Sequence, residues 1–272
     1  MNLKICSLAS GSSGNCYAVS TDETMLLVDA GISCRQIEKR LDYAFGRCLD
    51  DVDAVLITHE HSDHIKGLPQ LIKKKKQLAA NRETFYGIER ALGLAAPDDR
   101  IVFKNGDSFF IGDIEVTSFS TSHDAANPTG FAFENGGTRI CIVTDTGCIT
   151  PAISNQMRLS DILVLESNHD ENVLRMGPYP WFLKQRILSD EGHLSNEAAA
   201  NALLRVLKEE KEAAGEVKSR LVLLAHLSRE NNFPEMALAT MSNILDAEGF
   251  SAGGRVKIRV LSRTEPSPLY IL

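Results

Sequence analysis

The stretch Thr58-His59-Glu60-His61-Ser62-Asp63-His64 (THEHSDH) places three of the chain's seven histidines within six positions. It follows AVLIT, an apolar run short enough to be one buried strand, and precedes IKGLPQLIKKKK, whose pattern predicts a helix opened by the motif itself. Two histidines two apart on a turn, then Asp and His at a helix start, aim nitrogen and oxygen donors into one small volume. Imidazole and carboxylate suit zinc, and manganese accepts them as well. His59, His61, Asp63 and His64 exceed the needs of one catalytic ion, so the spacing predicts two divalent metal ions per chain, Zn²⁺ or Mn²⁺. The plainer alternative is a polar turn without metal.

Working outward, other candidate ligands fall at repeated topological positions. His123 follows the apolar strand EVTSFS, Asp145 follows RICIVT, and His226 follows LVLLA. Loops over strand ends are where binding groups cluster. A lone histidine after a strand is more often structural, but the recurrence strengthens the joint case. Asp29, ending the run LLVD, reads either as a carboxylate orienting a ligand histidine or as a turn cap.

The rest of the 272 residues suits a globular protein: 43% hydrophobic and 24% charged, with net charge -7. That balance excludes a global basic field for nucleic acid, so an anionic substrate must be held locally by metals, helix N-termini or a basic patch. The opening MNLKICSLASGSSGNC has too short an apolar run for an export signal, and no stretch is long enough to span a bilayer. Six cysteines form no CxxC pair, consistent with reduced thiols and a cytoplasmic location, with no membrane association. The first half reads as strands around Gly/Ser, NG and GD turns, with one helix over 33–47. The second half adds strands DILVLES and RLVLLAH between helices at 180–189, 196–213 and 234–247. With no repeat, linker or composition break, the expectation is a single domain over 1–272: α/β in the broad sense (α+β), two packed sheets with helices outside.

HxHxDH with the later His, the TDTG aspartate and the last His resembles the metallo-β-lactamase fold superfamily, a four-layer αββα sandwich with a dinuclear metal site at one edge. The resemblance covers essentially the whole chain. It is most similar to the YycJ (WalJ)-like group of 5′-exonucleases, through CSLASGSSGNCY, THEHSDHIKGL, STSHDAANPTGFAF, VTDTG, LVLESNHD, YPWFLKQRILSDEGHLSN and LAHLSRENN. At Trp181-Phe182-Leu183 the chain departs from the group's Trp-His-Leu, which removes a polar contact but no expected ligand. The resemblance implies one metal on His59, His61 and His123, a second on Asp63, His64 and His226, and Asp145 as bridge. It also implies no inserted β-CASP cap, and hence an open site.

His193, in GHLSN, resembles a substrate-side histidine of the tRNA 3′-processing nucleases. Independently, Ser195 or Asn196 would cap the helix EAAANALL, whose N-terminus offers amides to a phosphate. Asp63 and His193 are therefore the candidate catalytic side chains, His193 donating a proton to the leaving oxygen. Ser195 and Asn196 join Ser12, in the Gly/Ser turn, as substrate-binding candidates. His169, in ESNHD, stands either to touch substrate or to orient another residue. Lys73-Lys74-Lys75-Lys76 reads as a solvated helix end or a small phosphate patch. The expected activity is a dinuclear-metal phosphodiesterase, a 5′-to-3′ exonuclease on nucleic acid, DNA before RNA. The alternative is a small-molecule metallo-hydrolase, such as a cyclic phosphodiesterase or a thioesterase, because fold alone does not choose between them.

Overall fold

A computed structural model describes residues 2–250 and 254–272. The chain forms two compact units: one runs to Ser120 and includes Ala125–Thr138 and Ser262–Leu272, and the other holds Thr121–Asp124 and Arg139–Leu261.

In the first unit the order is β1 (Lys4–Ala9), β2 (Cys16–Ser20), β3 (Met25–Val28), α1 (Cys34–Phe45), β4 (Ala54–Leu56), α2 (Ser62–Ile65), α3 (Leu68–Lys73), β5 (Leu78–Asn81), α4 (Arg82–Leu92) and β6 (Arg100–Phe103). An antiparallel ribbon follows: β7 (Ser108–Ile111), β8 (Ile114–Ser120) and β9 (Thr129–Asn135). β1 through β3 pair antiparallel, whereas β3 to β6 pair parallel. Short strand Tyr270–Ile271 closes the β1 edge. Helix α1 begins where the sequence predicts: Ser33 and Gln36 form a capping box, and Gly46 ends the helix in the left-handed region at φ 63°. Its Ile37 and Leu41 are buried, and Ala44 and Phe45 pack beside them against the core that Leu27, Val55 and Leu78 form from the sheet. Each such fully buried aliphatic side chain is worth roughly 1.5–3 kcal/mol over exposure.

The helix expected after His64 is two short pieces. Between them the Gly67 amide donates to Ala30 O at 2.6 Å, and a Cβ on Gly67 would meet Ile32 O at 2.5 Å. The chain is thereby pulled onto the loop after β3. Gly31 in that loop is more constrained still: a Cβ there would lie 1.6 Å from Asp63 O, so only glycine lets the two loops close up.

The second unit contains β10 (Thr138–Val143), α5 (Pro151–Leu159), β11 (Ile162–Glu166), α6 (Glu171–Met176), α7 (Trp181–Ile187), α8 (Asn196–Ala214), β12 (Arg220–Ala225), α9 (Pro234–Ala247) and β13 (Val256–Val260). β10 to β13 are parallel in chain order. Ile162 to Leu165 and Val222 to Ala225 are buried, as are Ala199, Leu203, Val206 and Leu207 of α8. Strands buried on both faces read as continuous apolar runs, which is how they appear in the sequence. Parallel pairing brings their C-terminal ends to one edge, with Val143 beside Leu165 and Glu166 beside Ala225. Overall the fold is α+β, with mixed sheets and flanking helices, as expected.

Candidate metal centre

In the first unit the site is built on Asp29. This residue leaves β3 in the left-handed region, φ 62°, a conformation that Asp tolerates better than most residues. Its amide donates to Leu56 O at 2.8 Å, tying it to the end of β4. Its carboxylate accepts from the Thr58 amide at 2.8 Å, from the Thr58 hydroxyl, and from His64 Nδ1 at 2.7 Å. A carboxylate only accepts, so His64 carries its proton on Nδ1 and presents a bare Nε2. The Thr58 hydroxyl spends its hydrogen on Asp29, so at 3.0 Å it accepts from His59 Nδ1, which likewise leaves the buried Nε2 without a hydrogen. The rings of His61 and His64 lie 4.6 and 4.0 Å from that of His59. Asn15 directs its amide nitrogen at His64 Nε2 (3.1 Å) and Asp63 Oδ2 (3.3 Å), a donor facing two atoms that a cation would also seek. Burial pushes the Asp29 carboxyl up, against the opposing pull of His64 and Thr58.

In the second unit the organising residue is Glu166, which the sequence reading did not single out. Fully buried at the end of β11, it accepts His193 Nδ1 and His226 Nδ1 on the same oxygen, each at 2.8 Å. The other oxygen takes the Thr146 amide at 2.9 Å. Burial alone would raise this carboxyl, but the charge and hydrogen bonds of the two imidazoles overcome it and hold it far below the carboxylate range. Asp145 and His226 both adopt φ 55° just past β10 and β12, and Asp145 Oδ1 lies 3.5 Å from His226 Nδ1. His123 donates Nδ1–H to Gly192 O at 3.1 Å, and its Nε2 stands 3.9 Å from Asp145 Oδ1. Gly192 can approach because it lacks a side chain: a Cβ there would meet the Arg186 and Ile187 carbonyls at 2.3 Å. Asp145, Glu166, His193 and His226 each offer a donor atom within 4.8 Å of the others.

The donor chemistry of both units fits a divalent cation. Five imidazoles (His59, His64, His123, His193, His226) have Nδ1 committed, which leaves Nε2 of the proposed ligands His59, His64, His123 and His226 for a cation, the usual arrangement around a metal. His193 is the most open of the second unit's histidines, its side chain 15% exposed against 2% for His226.

The other candidates divide. Ser12 and Ser13 are exposed at the tip of the Gly/Ser turn and, with Ser62, Asp63 and Lys66, line a cavity of about 420 Å³. Ser195 caps α8, accepting the Ala198 amide, while the Asn196 amide donates to His169 O. The Asn196 side chain is buried between Ser167 and Asn232. Two of the first amides of α8 are thus taken by the protein's own groups, and the Asn196 side chain, expected to face a phosphate, is committed to its buried neighbours. His169 is 1% exposed, neither ring nitrogen has a hydrogen-bond partner, and burial pushes its pKa down to about 4. At neutral pH it is an uncharged, enclosed imidazole. Of the lysine run, Lys76 donates to Asp50 O and Val52 O, a tie to the loop before β4. Among the described residues no helix is long and apolar enough to cross a membrane.

A model of the β-lactamase superfamily domain matches residues 24–213. Exodeoxyribonuclease YycJ of Bacillus anthracis is 42% identical over 259 residues, covering 95% of both chains. Exodeoxyribonuclease WalJ of Streptococcus pneumoniae is 40% identical over 265 residues, 96% of this chain and 95% of the relative. Among solved structures, the metallo-β-lactamase fold protein YhfI from Bacillus subtilis superposes with a TM-score of 0.71 at 15% identity, covering 100% of each chain. Zn²⁺-bound PqqB from Methylobacterium extorquens does so with a TM-score of 0.68 at 17% identity, over 97% of this chain and 99% of that one. At such identities the structures speak for the fold, and the two sequence relatives speak for the family. The chain belongs to the metallo-β-lactamase superfamily and, within it, to the family of YycJ and WalJ.

Proposed function

We propose that the protein is a metal-dependent phosphodiesterase that removes nucleotides from DNA ends, a 5′-to-3′ exonuclease working in the cytoplasm. The 42% identity over 95% of the chain to an exodeoxyribonuclease carries this reading. The fixed tautomers of both donor groups support it. The family pattern assigns His59, His61 and His123 to one ion, Asp63, His64 and His226 to the other, and Asp145 to both, with Zn²⁺ or Mn²⁺ as occupant. A family model that draws on residues of both compact units supports treating 1–272 as one catalytic domain. The free cysteines, four of the six buried, suit a reducing compartment.

Bound divalent ions would acidify a water for attack and neutralise charge on the scissile phosphate. This chain's residues do the rest. Asp29 and Thr58 fix the tautomers and directions of His64 and His59. Glu166 does the same for His226 and His193, and a His193 protonated on both nitrogens would keep its bond to Glu166 and pass the Nε2 proton to the departing oxygen. Ser12, Ser13 and Lys66 border Asp63 and offer hydroxyls and one cation to a phosphate.

The test uses DNA and RNA labelled at either end, with the purified protein and Zn²⁺, Mn²⁺ or chelator. Metal-dependent release of short products from the 5′ end of DNA is expected. In parallel, His61→Ala should lower metal content and Asp145→Ala should lower it further. Cleavage of a thioester or cyclic phosphodiester with no attack on nucleic acid would replace this reading with the small-molecule one. Unchanged metal content in both variants would remove the ligand assignment.

A further inference from the structure

Three of the most exposed large apolar side chains in the described residues lie on one seven-residue segment. Met176 is 87% exposed, Trp181 65% and Phe182 72%, in the sequence Met-Gly-Pro-Tyr-Pro-Trp-Phe that joins α6 to α7. Trp181 is the chain's sole tryptophan. Large aromatic side chains left in water on a well-anchored backbone point to a partner.

The segment is built to hold still. Lys184, only 9% exposed, spends its ammonium on the carbonyls of Arg175 and Gly177, each at 2.7 Å. The Gly177 amide donates to Val173 O, and the Leu183 amide to Pro180 O. Pro178 and Pro180 fix two more φ angles. Burying a lysine ammonium is costly, and here it locks the connection that carries the exposed rings.

The same helix leads to the site. Seven-residue α7 starts at Trp181, and Ile187 at its other end accepts the His193 amide at 3.0 Å. At 1.5 Å per residue the rings stand roughly 10 Å along α7 from the turn that positions His193. That is within a few nucleotides of a strand whose end is being cut. Nearby cations are already matched, Arg175 with Glu171 and Arg186 with Asp124, and the chain carries net charge -7. Attraction to phosphates is therefore weak here, and flat rings are what this surface offers.

We propose that Trp181 and Phe182, with Met176 on the same segment, form a stacking platform for unpaired bases of the substrate strand next to the site. The proposal rests on the exonuclease reading and deepens it by naming single-stranded nucleic acid as the form gripped. Any base can stack on an aromatic ring, so the grip is independent of sequence. A platform of this kind needs little salt-sensitive contact, so affinity should fall only shallowly with ionic strength.

The sole tryptophan supplies the test. Oligo-dT is titrated into the full chain with chelator present, so that nothing is cut, and Trp181 emission is followed. Quenching that saturates is expected. Anisotropy of labelled oligo-dT should show Trp181→Ala and Phe182→Ala binding roughly five- to a hundredfold more weakly, with Trp181→Phe close to wild type. Blunt duplex should show little difference, and metal content and the thermal melt should be unchanged in all three. No quenching, together with wild-type affinity in both alanine variants, overturns the proposal even if the enzyme degrades DNA normally. A dimer in sedimentation that Trp181→Ala dissociates overturns it too, giving the face to a second copy of the chain. If the wild-type protein neither binds nor cuts nucleic acid, the exonuclease reading itself falls.

Discussion

Glu166→Gln isolates the residue on which the second unit's donor group turns. The substitution keeps the side-chain volume and removes the charge. In the wild-type protein one oxygen accepts two imidazole Nδ1–H groups, each at 2.8 Å, and the other accepts the Thr146 amide at 2.9 Å. A carboxamide has one oxygen, so its NH₂ must oppose either the imidazoles or the Thr146 N–H. Hydrogen bonds to a charged group are worth about 1.5–3 kcal/mol each, and the variant leaves at least one buried donor unmet, so a stability loss on the order of 2–4 kcal/mol is expected. The tautomers also loosen. Without an acceptor at Nδ1, His226 is free to hold its proton on Nε2, the atom assigned to the metal. Loss of such an orienting partner typically lowers metal affinity about 10- to 100-fold. The denaturant midpoint and a chelator competition for Zn²⁺ measure the two effects separately. The pH dependence has a definite sign. The folded-state pKa of Glu166 is depressed, so its contribution is complete above the unfolded value of about 4.3 and is lost as pH falls below it. The variant should lack that acid-side component. Wild-type midpoint and wild-type metal affinity in Glu166→Gln would refute the claim that this carboxylate sets both rings.

Asp29→Asn should weaken metal retention and cost roughly 1–3 kcal/mol, because Asn accepts the left-handed backbone but withholds the charge from His64 and Thr58. Unchanged unfolding and metal content would count against it. His169→Phe should leave stability at pH 7 near wild type, since neither ring nitrogen has a partner to lose. With a folded pKa of about 4 against roughly 6.5 unfolded, the unfolded chain takes up the proton first as pH falls. The wild type should then lose on the order of 3 kcal/mol between pH 6.5 and 4 that the variant keeps, and parallel acid-unfolding curves would contradict this.

The donor group of the first unit was legible because its residues are local. HxHxDH sits on one turn, and Asp29 ends an apolar strand, so both declare themselves within a few residues. Glu166 did not, because an acid at the end of ILVL looks like any strand terminus. Only parallel pairing of β11 with β12 sets it beside Ala225, one residue before His226, and that pairing spans the whole of α8. The Ser195 cap was readable from Ser-Asn-Glu. What could not be read was that His169 and Ser195 themselves occupy the first amides of α8. The break between α2 and α3 was likewise hidden, since Gly67 is shaped by Ala30 and Ile32 in the loop after β3, far earlier in the chain, and not by its neighbours.

Left-handed backbone at Asp29, Asp145 and His226 gives these separate observations a common cause. For non-glycine residues that conformation persists only where surrounding structure enforces it, at a cost on the order of 1–3 kcal/mol each. Aspartate and histidine tolerate it better than most side chains, yet each still needs its surroundings to hold it there, and for His226 those surroundings are visible. Its backbone is held by a buried amide cluster: Asn168 Nδ2 donates to His226 O at 2.8 Å, and the Ser228 amide and Asn232 Nδ2 both donate to Asn168 O. Asn232 also reaches Ser167 O and Asn196 Oδ1. Asn196, read from sequence as facing substrate, belongs instead to the cluster that fixes the backbone of His226. A fully satisfied buried polar network rigidifies what it touches. The asparagines therefore act on chemistry at one remove, by holding the histidine in a conformation the chain would otherwise leave, while Glu166 holds its ring.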